Sequence, residues 1–193
     1  MNQVEINRLL HNLVRPGVIA EVDHGNITAS PPKPARVRVF VGAMKTDWIP
    51  WREQRAGKTR TWNPPTEGEQ VLLLTPGGEL RGATVLMGIN SDHIPAPSDK
   101  PEITMIEMPD GAVLEYNHER SHLRAALPGD ATIDAQGTVT LTAQGGATVN
   151  ADVTINGTLA IQGSGVTHNG TDIGATHKHL GVTSGNSITG IPA

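Results

Sequence analysis

Two histidines set two residues apart, His177 and His179, are the side chains of this sequence whose type and spacing suit a metal ion. On extended backbone, side chains alternate between faces, so both imidazoles project to one side and Lys178 to the other. Ile173 and Ala175 share the imidazole face, which places the pair at the end of an apolar row. Imidazoles in an apolar interior are costly without partners, and a metal on an axis between chains would satisfy them. One chain brings two ring nitrogens, which is an incomplete site. Three chains bring six, the count for octahedral coordination, and four would bring too many. Six-coordination suits iron, cobalt or nickel better than structural zinc, which takes four ligands. Ligand type and geometry leave the choice among those three open.

The remaining histidines, His11, His24, His93, His118, His122 and His168, read as surface or loop residues. His118 and His122 have the spacing of ligands on a helix but fall in a β-type region. There is no cysteine, hence no disulfide framework and no thiolate site. No nucleophile context, phosphate-binding loop or zinc-protease motif is present. Asp23, Asp47, Glu67 and Glu69 fit turn and surface roles. The expectation is a protein that is not an enzyme.

The element that must carry His177 and His179 is visible upstream. From Ala131 to Gly165 every odd position is Ala, Val, Ile, Leu or Gly, and nearly every even one is polar. That period of two predicts extended backbone with a dry and a wet face. Eight large aliphatics line the dry face: Ile133, Val139, Leu141, Val149, Val153, Ile155, Leu159 and Ile161. At ~1.5–3 kcal/mol each, sealing them contributes on the order of 12–24 kcal/mol per chain, as an upper bound. One such segment has nothing of its own to pack on, so its partners are expected to be other copies. Gly137, Gly145, Gly157 and Gly163 punctuate a repeat of about six to eight residues, the scale of a β-helix rung.

The N-terminal half differs. Residues 2–14 read as a helix with Asn2 as cap, Glu5 three residues on, and an apolar stripe of Ile6, Leu9, Leu10 and Leu13, ended by Pro16-Gly17. The stripe docks either on its own domain or on another chain. Residues 17–22, 36–41, 70–74 and 83–89 read as short strands separated by Gly, Pro, Asn and Asp, with a further strand expected in the Trp-rich stretch. Together they suggest an oligonucleotide/oligosaccharide-binding (OB) barrel. Trp48, Trp51 and Trp62 interleave with Arg52, Arg55, Lys58 and Arg60, a mixture that fits either stacking of nucleic acid or core and subunit contacts. The net charge of -4 argues against general polyanion binding. Residues 103–116, centred on Pro109-Asp110-Gly111, read as a hairpin. No apolar run reaches transmembrane length, and no secretion signal is evident, so a soluble cytosolic product is expected.

The motifs Thr46-Asp47-Trp48-Ile49-Pro50-Trp51, Arg55-Ala56-Gly57-Lys58-Thr59-Arg60-Thr61-Trp62, Glu67-Gly68-Glu69-Gln70-Val71 and Gly77-Gly78-Glu79-Leu80 resemble the baseplate assembly protein V family of contractile-tailed phages. Pro109-Asp110-Gly111-Ala112-Val113-Leu114-Glu115-Tyr116 and His177-Lys178-His179 resemble it too, and R-type pyocin spikes share the plan. The resemblance implies a mainly β chain. An N-terminal OB-fold barrel is followed by an intertwined trimeric β-helix with a pointed metal-binding apex. In this sequence it implies a helix over 1–15, the OB domain over 16–95, a linker and hairpin region over 96–129, the triple-stranded β-helix over 130–166 and the apex over 167–193. It also implies that His177 and His179 of three chains hold one iron ion. Some relatives carry calcium and chloride in the helix, and no motif here locates such sites. The function implied is a central spike in the baseplate at the tail tip of a virion or pyocin particle. It would pierce the target outer membrane mechanically on sheath contraction, with other baseplate, hub and tube proteins as partners and no nucleic acid. A receptor-binding fibre and an OB-fold nucleic-acid-binding protein are the rival classes.

Overall fold

The computed structural model describes residues 2–163, 165–174, 177 and 185. His179 lies outside the described residues, as do Ala175 and Lys178. The chain divides into two units, Met1–Ile133 and Asp134–Ala193.

The first unit begins with helix α1 (Gln3–Leu13), capped by the Asn2 side chain, which accepts the Glu5 N–H at 2.9 Å. Strand β1 (Val14–Asp23) follows with no turn between, so Pro16-Gly17 does not end the helix as expected but lies within the strand. Pro16 pairs across from Leu72, and Gly17 is buried. A Cβ at Gly17 would stand 2.5 Å from Val39 Cγ1 and 2.9 Å from the Phe40 carbonyl oxygen. Glycine is there because two strands approach too closely for any side chain. The helix docks on its own domain through its last turn: the Thr75 hydroxyl donates to the Asn12 carbonyl, and the Thr75 N–H donates to the Leu13 carbonyl at 2.9 Å. Val4, Leu10 and Leu13 stay exposed.

Strands β2 (Arg36–Val41), β3 (Met44–Lys45), β4 (Gln70–Leu74) and β5 (Thr84–Ile89) complete an antiparallel sheet in the order β3-β2-β1-β4-β5. Alternate residues face inward and build one core of Ile19, Val37, Val39, Ile49, Val71, Leu73, Ala83 and Val85. A slip of register between Ile19 and Glu21 bends β1 over that core. The further strand expected among the tryptophans is reduced to a staple. Ile49 exchanges two hydrogen bonds with Val37, both 2.9 Å. Beside it Arg52 N–H donates to Val85 O at 2.8 Å, and Val85 N–H donates to Pro50 O at 3.0 Å. Residues 49–52 thereby join the β2 side of the sheet to the β5 edge and close the barrel.

A separate three-stranded sheet contains β6 (Ile103–Glu107), β7 (Val113–Asn117) and β8 (His122–Ala126) in that order. The first turn is the expected one, with Asp110 Oδ1 accepting Ala112 N–H at 3.0 Å and Gly111 at φ +85°. The third strand was not expected, because His-Leu-Arg-Ala-Ala has no β-branched residue.

In the second unit the alternating segment carries no assigned strand among its described residues. Bends at residues 136–137, 144–145, 151, 156–157 and 163 divide it into short straight runs. A hairpin follows, β9 (Thr167–His168) against β10 (Thr171–Asp172). Asn169 and Gly170 both have positive φ, +49° and +78°. That is the type I′ turn an Asn-Gly pair favours. No helix among the described residues is long and apolar enough to cross a membrane.

Candidate functional site

The β9–β10 hairpin positions His177. Ile173 N–H returns to Val166 O at 2.8 Å, closing the hairpin at its base. Asp172 Oδ1 accepts the Gly174 N–H at 2.8 Å and fixes the exit of the chain. Gly174 O then accepts the His177 N–H at 3.2 Å and lies 2.6 Å from His177 Nδ1. A carbonyl is an acceptor only, so in the neutral ring Nδ1 carries the proton and the lone pair sits on Nε2. A backbone carbonyl on one ring nitrogen is how metal-binding histidines are commonly oriented. Among the described residues no three His, Cys, Asp or Glu side chains gather within one chain. His177 alone is an incomplete donor set.

The dry face upstream is bare in a single chain. Leu141 is 79% exposed, and Val139, Val149, Val153, Ile155, Leu159 and Ile161 are each more than half exposed. Among the described residues of 131–163, the one backbone–backbone hydrogen bond runs from Gly146 N–H to Ala143 O, 3.3 Å. A bare aliphatic row of this length is costly to leave in water.

The Trp-rich stretch is built around a carboxylate. Glu53 accepts from Trp51 Nε1 at 3.0 Å, Thr61 Oγ1 at 2.8 Å and Asn63 N–H at 2.9 Å. Partial burial pushes its pKa up, but these hydrogen bonds outweigh burial and hold it below the ordinary carboxylate value. Trp51 packs on the core, with Trp62 5.8 Å away at 49°. Trp48 lies under the Arg38 guanidinium at 5.7 Å. Trp51 and Trp62 meet each other at a tilt and Trp48 meets Arg38, so the three do not form a row of stacking platforms. Arg60 and Trp62 line a cleft with His24, Asn26 and Ile27. On the barrel wall Glu21 holds both Lys45 and Arg38, and its pKa is lowered chiefly by the Lys45 hydrogen bond.

Two features escaped the sequence reading. Asn169-Gly170, between Thr-His and Thr-Asp, was a hairpin signal in plain view. The Glu53 hub had none, because its partners are up to ten residues away.

Residues 15–89 match the family model of the type VI secretion system/phage-baseplate injector OB domain. The whole chain is similar to the spike protein of Escherichia phage P2. The two are 38% identical over 215 aligned positions, covering 99% of this chain and 97% of that relative.

Proposed function

Because this chain belongs to the phage baseplate spike family, we propose that three copies braid their C-terminal halves into a rigid spike at the tail tip. The observation that carries this is the exposed row from Ile133 to Ile161. It is sealed when three such chains turn their odd positions inward. The bends near Gly137, Gly145, Gly157 and Gly163 then serve as corners between rungs. A braid whose strands pair from chain to chain has few free edges, so it transmits axial load without fraying.

The mechanism is mechanical. Sheath contraction drives the spike against the outer membrane of the target cell, and no bond is made or broken by the protein. The barrel, with the docked helix, is the end that attaches to other tail proteins. The particle is a virion tail, and the chain is assembled into it in the bacterial cytoplasm.

At the apex His177 and His179 of three copies hold one iron ion. The donor set fits: imidazole suits iron, and the Gly174 carbonyl directs the lone pair of His177 to Nε2. The metal supplies a cross-link where the spike is too narrow for a core.

Sedimentation of the purified chain is expected to give a trimer, and metal analysis about one iron per three chains. The double variant His177→Ala, His179→Ala is expected to lose the metal and remain a trimer. A monomer in sedimentation overturns the braid, and iron retained in the double variant overturns the ligand assignment.

A further inference from the structure

The segment between β1 and β2 and the one between β3 and β4 enclose a cleft of about 570 Å³, whose lining includes His24, Asn26, Ile27, Arg60, Thr61 and Trp62. That is the size of an ordinary ligand cavity. Both segments are held in place before anything binds. Asn26 exchanges two backbone hydrogen bonds with Lys33, 2.8 and 2.9 Å, and its Oδ1 accepts the N–H of Thr28 at 3.0 Å and of Ala29 at 3.1 Å. In the second segment Thr61 N–H donates to Arg55 O at 3.0 Å. The Thr61 hydroxyl accepts from Arg55 N–H at 3.1 Å and donates to Glu53 at 2.8 Å. A preformed cleft spares a ligand the cost of ordering it.

The side-chain atoms left open here are donors. Asn26 Oδ1 and Thr61 Oγ1 are used within the walls. The Arg60 guanidinium, Trp62 Nε1 and Asn26 Nδ2 have no hydrogen-bond partner among the described residues, and no acidic side chain lines the cleft. The carboxylates that flank the two segments in sequence are committed elsewhere: Asp23 to Lys33 and the Gly25 N–H, Glu53 to Trp51, Thr61 and Asn63. A guanidinium is a planar fork that matches a carboxylate or a phosphate. Apolar surface adjoins it, with Ile27 88% exposed and Trp62 60%. A ligand that satisfies both carries an anion next to an apolar group. The bare isoleucine favours an aliphatic or aromatic side chain over a sugar. One arginine without a row of stacked rings favours a single carboxylate over a nucleic-acid backbone.

We propose that this cleft takes an acidic peptide segment of a neighbouring tail protein, with a carboxylate on Arg60 and an adjacent apolar side chain against Ile27 and Trp62. The source of the segment rests on the barrel being the end that attaches to the tail. The cleft lies within one barrel and does not depend on the braid.

The probe is a pair of blocked peptides, acetyl-Gly-Leu-Glu-Leu-Gly-amide and the same peptide with Gln in place of Glu. Each is titrated into the purified full-length protein while the Trp62 indole N–H is followed by NMR. The acidic peptide is expected to bind at least about tenfold more tightly than its amide counterpart, as an ion-paired carboxylate does. Arg60→Gln is expected to abolish that preference. Lys58→Gln, in the same segment but outside the lining, is expected to keep it. No binding, no preference between the peptides, or an equal loss in both variants overturns the proposal. Glucuronate or a single-stranded oligodeoxythymidylate that shifts the Trp62 signal at lower concentration than the acidic peptide assigns the cleft to a sugar or to nucleic acid, and also overturns it. These results leave the spike reading standing. Selective binding of the acidic peptide by a chain that sediments as a monomer overturns the braid and leaves the cleft assignment intact.

Discussion

Replacing Leu141 by Ala tests whether the aliphatic row is sealed. In one chain Leu141 exposes 79% of its surface, so about four-fifths of the ~1.5–3 kcal/mol available from full burial is still to be gained. That is on the order of 1–2.5 kcal/mol per chain, and three copies lose it together, so the assembly loses roughly 4–7 kcal/mol. Any cavity left by the missing side chain adds to the loss. The assay is urea unfolding at several protein concentrations, because an obligate assembly unfolds at a midpoint that depends on concentration. The variant is expected to lower that midpoint steeply, and Thr142→Ala, on the opposite face, to leave it nearly unchanged. A solvated residue costs within about 0.5 kcal/mol when truncated. If Leu141→Ala falls in that range, the row faces water and the braid is wrong.

Gly17→Ala should destabilise the barrel by about 1–3 kcal/mol, because the new methyl meets Val39 at 2.5 Å and the Phe40 carbonyl at 2.9 Å. Thermal unfolding of the variant would refute the close-approach argument if its midpoint matched wild type. Glu53→Gln tests the hub through pH. The folded carboxyl titrates below its ordinary value of 4.5, so its stabilisation is complete above that value and fades as pH falls through the folded one. The variant should therefore be less stable than wild type at pH 7, with the gap closing towards pH 3. An equal gap at both pH values, measured by urea midpoint, contradicts the assignment.

The barrel strands could be read because their inward positions, such as Val37 and Val39 or Val71 and Leu73, alternate cleanly with outward ones. The closing staple could not. Ile49 and Trp51 pair to different strands through only a few bonds, and so short a segment shows no period. Strand β1 was read as starting at Gly17 because Pro16-Gly17 resembles a helix stop. Only the close packing on Val39 explains the glycine, and packing on a strand more than twenty residues away leaves no local trace. Strand β8 was missed for want of β-branched side chains; it is held by pairing with Tyr116 and Leu114 rather than by its own propensity. At the candidate site the sequence marks His177 and the aliphatic row. It does not reveal the Gly174 carbonyl that orients the ring, because backbone acceptors carry no residue code. The expectation for His179 falls outside the described residues.

The order in which the two halves leave the ribosome follows from their places in the chain. The barrel emerges first and needs no other copy to bury Val37, Leu73 and Val85, so it folds while the rest is still being translated. The aliphatic row is synthesised after it. In the proposed braid that row spends little time unshielded before sister polypeptides join it, which limits the window for misassembly into amyloid-like stacks.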